Sequence, residues 1–223
     1  MRTERRRAEH GILIGVAAAL FLLAACDGGA DAPTQDEQAA TAPAAEANAE
    51  EIATDFLGAA YGAFDAKGAM AYVADDADLD LTGLGVADTA GLRLLLAFWE
   101  ATGYEQILDP CEVTGSSADG TAVRCTFDFH AIRSDEIGLG PYSGNHFDLT
   151  VHDGKVVEAS QSFEIAEFSP QMWEPFAAWV SETHPKDFAV MYTGGGTDFR
   201  LTEESIRLWR QRTHEYVKEV AAS

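Results

Sequence analysis

Hydrophobic and polar residues alternate with a period of two along three neighbouring segments between Cys111 and Ile165. Such alternation places the two sets of side chains on opposite faces of a β-sheet. Turns rich in glycine, proline and aspartate separate the segments, so the pattern predicts an antiparallel meander with one apolar face. We expect that face to carry Phe127, Phe129, Phe147, Leu149, Gln161 and Phe163.

The first hairpin of this meander is predicted with His130 opposite His146 and Asp128 opposite Asp148. Facing carboxylates repel each other, so imidazoles, a cation or a partner should neutralise them. A solvated face is preferred here over a metal site, because four side chains on a flat sheet seldom converge tetrahedrally.

The second hairpin turns at Asp153-Gly154. It is predicted as a type I turn with a bulge that pairs Val151 with Lys155. This register puts Val157 on the apolar face and Val156 on the polar face.

Helical spacing of apolar residues precedes and follows the sheet. One stripe is Ile52, Phe56, Ala60 and Phe64, and another is Leu92, Leu95, Leu96 and Trp99, which Asp88 or Thr89 can cap. Ser169-Pro170 and Thr202 are predicted to begin two further helices, with Gly194-Gly195-Gly196 in a flexible loop between them. The chain therefore predicts an α+β fold in which N-terminal helices cover a curved antiparallel sheet, with extra C-terminal helices.

The first 25 residues have a basic start followed by an apolar run that is short for a membrane span, which is typical of a secretory signal. Leu23-Ala24-Ala25-Cys26 resembles a bacterial lipobox. The resemblance implies lipidation of Cys26 and an anchor on the outer face of the cytoplasmic membrane. An ordinary signal peptide or a plain N-terminal anchor is the alternative.

The charge balance is strongly acidic, with a formal net charge of −22 over 223 residues. This disfavours nucleic acid and anionic headgroups as partners and favours cationic ligands. Residues 26–48 lack aromatic residues and apolar periodicity, so they are predicted to be a disordered tether. The last helix is basic, and its cations are expected to pair with the domain's own carboxylates; an acidic partner is the alternative.

Cys111 is predicted to lie opposite Cys125 in a hairpin that turns near Ser117–Gly120. Two facing cysteines in an exported protein favour a disulfide, with two buried thiols as the alternative. Redox chemistry is not expected, because the chain has no Cys-x-x-Cys motif.

The stretches Ala71-Tyr72-Val73-Ala74-Asp75-Asp76-Ala77-Asp78-Leu79 and Asp153-Gly154-Lys155-Val156 resemble two signatures of the nuclear transport factor 2-like superfamily. That superfamily includes ketosteroid isomerases and SnoaL-type polyketide cyclases. The resemblance implies a cone-shaped α+β barrel over residues 49–168, with a pocket between helices and sheet. Residues 169–223 are predicted to form an added helical extension packed on this domain.

When the isomerases of this superfamily are aligned with this chain, their catalytic base falls near Leu81 and their protonated acid near Phe147. Because neither is a carboxyl group, we assign no catalytic residue, and we expect no metal and no cofactor. The expected ligand-binding residues are Tyr61, Trp99, Phe129, Phe147, Gln161 and Phe163. The alternative is that these side chains only fill the core.

Three functions are compatible with these patterns. The first is a lipid-anchored protein that binds a small apolar ligand or a protein partner without catalysis. The second is a SnoaL-like or isomerase-type enzyme in which Tyr61 and Gln161 polarise a carbonyl. The third is a structural module that forms a homodimer through the outer face of the sheet.

Overall fold

A computed structural model describes residues 35–82, 84–86 and 88–222. Within these ranges the α-helices are α1 Gln35–Leu57, α2 Ala66–Met70, α3 Thr89–Ala101, α4 Glu174–Thr183, α5 Pro185–Met191 and α6 Glu203–Ala221. The strands are β1 Val73–Leu81, β2 Leu84–Gly85, β3 Glu105–Leu108, β4 Glu112–Ser117, β5 Gly120–His130, β6 Tyr142–His152, β7 Lys155–Ser162, β8 Tyr192–Thr193 and β9 Asp198–Phe199.

The N-terminal predictions fall largely outside these ranges. The signal peptide, Cys26 and the first part of the tether all lie outside the described residues. No helix in the described part of the chain has the length and apolarity that crossing a bilayer requires.

The α+β fold predicted from the sequence is confirmed. One curved sheet has the strand order β2-β1-β7-β6-β5-β3, with β4 also paired to β5. Helix α1 packs on β5, β6 and β7, and buries Ala53, Phe56 and Leu57 completely. The sheet is mixed rather than wholly antiparallel, since β1 runs parallel to β7. The connection between them contains α3 and five strands, which is long enough to return the chain in the parallel sense.

Helix α1 differs from the sequence-based expectation at its start. It begins at Gln35, so residues 35–48 of the predicted tether are helical rather than coil. Alanine, glutamate and glutamine have high helix propensity, and this segment runs directly into the buried stripe of α1. The absence of apolar periodicity in residues 35–48 therefore did not show that α1 already begins at Gln35.

The predicted register of the β5–β6 hairpin is wrong by four residues. Arg124, not Asp128, lies opposite Asp148, and Thr126 lies opposite His146. Strand β5 ends at His130 because Ile132 and Arg133 take positive φ values of 56° and 59°. A displacement by an even number of residues keeps each side chain on its face, so the predicted apolar face is nevertheless right.

The second hairpin also turns differently from the prediction. His152 pairs with Lys155 across a two-residue turn, in which Asp153 and Gly154 have φ values of 48° and 75°. The register shift lies after this turn, between the pairs made by Thr150 and Val151. Val156 is consequently buried and Val157 half-buried, the reverse of the expectation.

The predicted disulfide is confirmed. Cys111 and Cys125 are bonded, and the next pair along the hairpin joins Glu112 to Arg124. Closing a loop of this size stabilises a fold by about 3 kcal/mol. The bond ties β5 to the segment that enters β4, at the buried face of the sheet.

The C-terminal extension packs on the domain through aromatic rings. Trp209 of α6 is fully buried, and its ring centroid lies 5.2 Å from that of Phe98 on α3. Phe199 of β9 stacks on the same Phe98 at 4.2 Å. Arg210 of α6 pairs with Glu100 of the domain as expected, whereas Arg212 pairs with Asp187 inside the extension.

The predicted caps of the extension have different outcomes. Thr202 caps α6, since its hydroxyl accepts a hydrogen bond from the Ser205 amide at 3.2 Å. Ser169 caps nothing, because a π-helical turn, Ser169–Trp173, begins at this residue. The Ser169 hydroxyl donates instead to Oε1 of Glu174 at 3.0 Å.

Candidate ligand-binding site

A cavity of about 430 Å³ lies between the open end of the curved sheet and the C-terminal extension. Its walls come from α3, β5, the segment after β7, the turn before α4 and the β8–β9 hairpin. The lining residues are Thr82, Trp99, Phe129, Phe163, Ile165, Phe168, Ser169, Trp173, Glu174, Gly196, Thr197, Asp198 and Phe199.

The domain contributes the aromatic wall that sequence alternation predicted. The Phe163 ring lies 5.1 Å from Phe129 and 5.7 Å from Trp99, centroid to centroid. Phe129 projects inward from β5, and Phe163 follows the last residue of β7 on the same face. Trp99 reaches them from α3, which Asp88 caps by accepting a hydrogen bond from the Gly91 amide.

The extension closes the cavity from the other side. Trp173 and Phe199 of the extension are 6.2 Å apart, next to Phe168 at the end of the domain, whose ring lies 5.3 Å from Phe129. The Trp173 indole donates to the carbonyl of Gly196 at 3.0 Å, which ties the tip of the β8–β9 hairpin to the turn before α4. The glycine-rich loop, expected only to be flexible, thus forms part of the wall.

The six predicted ligand-binding residues divide into two groups. Trp99, Phe129 and Phe163 line the cavity, whereas Tyr61, Phe147 and Gln161 do not. Phe147 is fully buried between Tyr61 at 5.2 Å and Phe127 at 4.7 Å, measured between ring centroids. Aromatic side chains therefore fill the interior of the domain here, and the space available to a ligand lies further out.

Tyr61 and Gln161 bind each other instead of facing the cavity. The Tyr61 hydroxyl donates to Oε1 of Gln161 at 3.1 Å. Burial raises the pKa of Tyr61 and of its neighbour Tyr104, so both phenols stay protonated at neutral pH. The Gln161 Nε2 and Trp99 Nε1 groups are buried, and neither has a hydrogen-bond partner among the described residues.

The two positions at which the sequence resemblance predicted no carboxyl group are apolar and buried in the structure. Leu81 and Phe147 each have a relative exposure of 0%. Neither position provides an acid or a base.

Two carboxylates do line the cavity, and both belong to the extension. Glu174 begins α4, and Asp198 begins β9. Glu174 accepts the Ser169 hydroxyl, and Oδ1 of Asp198 accepts the Phe199 amide at 3.0 Å. No lysine, arginine or histidine is among the lining residues.

These extension residues were not predicted as part of a site. For this segment the sequence predicted only that Ser169-Pro170 begins a helix. Charge and periodicity along 169–199 do not reveal that this segment folds back over Phe129 and Phe163. That closure depends on packing between residues far apart in sequence.

The polar face of the sheet holds an ion pair. Both Nε and Nη2 of Arg124 donate to Asp148, at 2.7 and 2.9 Å. These hydrogen bonds lower the pKa of Asp148, and His146 lies 3.5 Å from the same carboxylate. His130 instead contacts Ser134 and the carbonyl of Leu139, both at 3.1 Å. The described residues contain no group of three or more acidic, histidine or cysteine side chains placed to hold a metal ion.

No protein-family model and no curated protein matches this chain. Several solved structures are similar to it. A "putative polyketide cyclase" from Xanthomonas campestris is 17% identical, with a TM-score of 0.43, over 56% of this chain and 97% of that one. A "putative polyketide cyclase" from Pseudomonas putida is 20% identical, with a TM-score of 0.40, over 55% and 96%.

A third similar structure is an NTF2-like protein of unknown function from Cytophaga hutchinsonii. It is 7% identical, with a TM-score of 0.37, over 53% of this chain and 91% of that one. The superfamily that the sequence resembles is thus also named among these structures. At these identities and TM-scores, the evidence for function is the geometry of this chain's own cavity.

Proposed function

We propose that this chain binds a small, largely apolar organic molecule in the cavity between the domain and its C-terminal extension, without transforming it. The observation that carries this proposal is the aromatic cavity itself. Its volume of about 430 Å³ falls in the range of roughly 300–1,000 Å³ that is usual for small-molecule sites. A core that was simply filled would leave no such space.

Binding is favoured over the isomerase-type reaction by the positions of Tyr61 and Gln161. A reaction on a carbonyl needs a donor in contact with the substrate and a base beside the proton to be removed. Tyr61 and Gln161 are absent from the cavity wall, and the Tyr61 hydroxyl is engaged by Gln161. The residues in contact with a ligand would mainly be aromatic rings, which bind and orient rather than transfer protons.

The proposal is tested with N-phenyl-1-naphthylamine, a neutral probe that becomes fluorescent in apolar sites. We expect saturable binding of one probe molecule per chain, with quenching of tryptophan fluorescence, because Trp99 and Trp173 line the cavity. Trp99→Leu should weaken binding by about tenfold, since it removes a large part of the aromatic wall.

Trp179→Leu is the matched control. Trp179 is also half-buried but lies on α4 against Phe176 and Tyr216, away from the cavity lining. Its loss should leave probe affinity unchanged. Absence of saturable binding to the folded wild-type chain, or equal weakening by both substitutions, would contradict the proposal.

We further propose that Cys26 anchors the protein to the outer face of the bacterial cytoplasmic membrane through an attached lipid. The support is the lipobox-like sequence Leu23-Ala24-Ala25-Cys26 after an apolar run. Cys26→Ser should release the chain from the membrane fraction of the bacterium that expresses it. Retention of the variant in membranes would mean that the N-terminal segment itself is the anchor.

A further inference from the structure

We infer that the ligand of this cavity is an organic cation, an ammonium or quaternary ammonium group attached to an apolar body. This inference rests on the proposed function and specifies the class of molecule that the cavity takes. It follows from the acidic side chains of the wall, from the aromatic faces beside them and from the charge of the whole chain.

The charged side chains of the cavity wall are all acidic. Glu174 and Asp198 reach the cavity from two different elements, the first turn of α4 and the start of β9. Neither carboxylate forms an ion pair within the described part of the chain, although several carboxylates elsewhere do. Both residues are exposed, so their carboxylates attract a cation at the mouth of the cavity through electrostatics that salt can screen, and this attraction adds to that of the aromatic rings.

The remaining wall is suited to the same charge. Six aromatic rings line the cavity: Trp99, Phe129, Phe163, Phe168, Trp173 and Phe199. The faces of aromatic rings carry negative electrostatic potential, and tryptophan attracts cations most strongly. Aromatic walls combined with carboxylates are how proteins hold alkylated ammonium groups, which have apolar surface and positive charge together.

An anionic ligand is disfavoured by the same features. It would approach Glu174 and Asp198 without a lysine, arginine or histidine in the wall to offset them. The formal net charge of −22 also repels anions and raises the local concentration of cations. A neutral apolar ligand fits the rings but leaves both carboxylates without a counter-charge.

The test compares two molecules of nearly identical shape, benzyltrimethylammonium and neopentylbenzene, for displacement of N-phenyl-1-naphthylamine. The first carries a positive nitrogen where the second has a neutral carbon. We expect benzyltrimethylammonium to displace the probe at a concentration at least about tenfold lower than neopentylbenzene does. This preference for the cation should shrink as salt is added.

The double variant Glu174→Gln with Asp198→Asn should abolish the preference. Both changes keep an oxygen that can accept the Ser169 hydroxyl or the Phe199 amide, so the local hydrogen bonds persist. Glu182→Gln is the matched control, because Glu182 is an exposed carboxylate on the same helix that does not line the cavity. It should leave the preference unchanged.

The outcomes separate this inference from the proposed function. If the probe binds but both molecules displace it equally, or the neutral one does so better, the cavity binds ligands and the inference is wrong. A cation preference that survives the double substitution, or is lost equally in Glu182→Gln, also overturns it. If the probe does not bind at all, the proposed function fails first.

Discussion

The hydrogen bond between Tyr61 and Gln161 is a polar contact that joins the N-terminal helical segment to the sheet behind the cavity wall. The two residues are 100 positions apart, and the bond uses only the oxygen of the amide. The Gln161 Nε2 group remains without a partner among the described residues. An unpaired buried donor costs about 1–3 kcal/mol, so this amide is only half satisfied.

We predict that the effects of replacing these two residues are strongly non-additive. Tyr61→Phe should lower the free energy of unfolding by about 1–2 kcal/mol, because it leaves the whole Gln161 amide unpaired. In that background, Gln161→Leu should recover some of the loss, since it removes the unpaired amide. Urea unfolding followed by circular dichroism measures all four proteins of the cycle.

Tyr72→Phe serves as the control for this cycle. The Tyr72 hydroxyl bonds to Asp55 at 3.3 Å near the surface, where water can replace the lost partner. Its removal should change the free energy of unfolding by less than about 0.5 kcal/mol. Strictly additive effects of Tyr61→Phe and Gln161→Leu would show that their hydrogen bond does not form.

The β5–β6 hairpin shows which interactions determine the register of two paired strands. In the predicted register Asp128 would face Asp148, whereas the observed β5–β6 register places Arg124 opposite Asp148. Asp128 lies opposite Ile107 of β3, on the other side of β5. The loop after His130 buries Ala131, Ile132 and Ser134, which fixes where β5 ends. Alternation along the strands is compatible with any register displaced by an even number of residues. Burial of the loop residues thus decided which of these registers forms.

We predict that Asp148→Asn destabilises the protein slightly at neutral pH and not in acid. The Arg124 guanidinium lowers the pKa of Asp148 in the folded protein below its ordinary value of 3.8. The stabilisation is therefore fully present above that value and is lost as the pH falls through the lower, folded-state pKa. Because both side chains are nearly half exposed, the effect at pH 7 should not exceed about 1 kcal/mol.

Urea unfolding at about pH 7 and at about pH 3 or lower measures this difference. Asp128→Asn is the control, since Asp128 has no ion pair among the described residues. It should have little effect at either pH. Clear stabilisation by Asp128→Asn would instead support the register in which the two carboxylates face each other.

The domain and its extension form one packed unit around Trp209. This ring contacts Phe98 of the domain, and its centroid lies 5.5 and 4.9 Å from those of Trp173 and Tyr192 in the extension. The cavity is bounded by the same two parts. Folding of the extension on the domain is therefore a condition for forming the cavity.

We predict that Trp209→Ala lowers the free energy of unfolding by about 3–5 kcal/mol, as expected for a fully buried tryptophan. The wild-type chain should unfold in one cooperative transition in circular dichroism and tryptophan fluorescence alike. Trp179→Ala, at a half-buried position on α4, should cost clearly less. Two separate transitions in the wild type, with only one shifted by Trp209→Ala, would mean that the extension folds independently.

Local sequence determined the faces of β5 and β6, the caps Asp88 and Thr202, and the disulfide between Cys111 and Cys125. Each depends on a short period or on residues joined by one turn, so interactions within a few positions are enough to specify it. The inward position of Phe129, Phe163 and Gln161 was predictable for the same reason.

Tertiary packing alone decided the register of β5 and β6, the parallel position of β1 and the location of the cavity. Periodicity could not show that Phe147 would fill the interior, or that Trp173 and Phe199 would close the space in front of Phe163. These outcomes depend on how side chains far apart in sequence share one volume. Close packing selects among arrangements that the local pattern permits equally, and here it placed the candidate site where domain and extension meet.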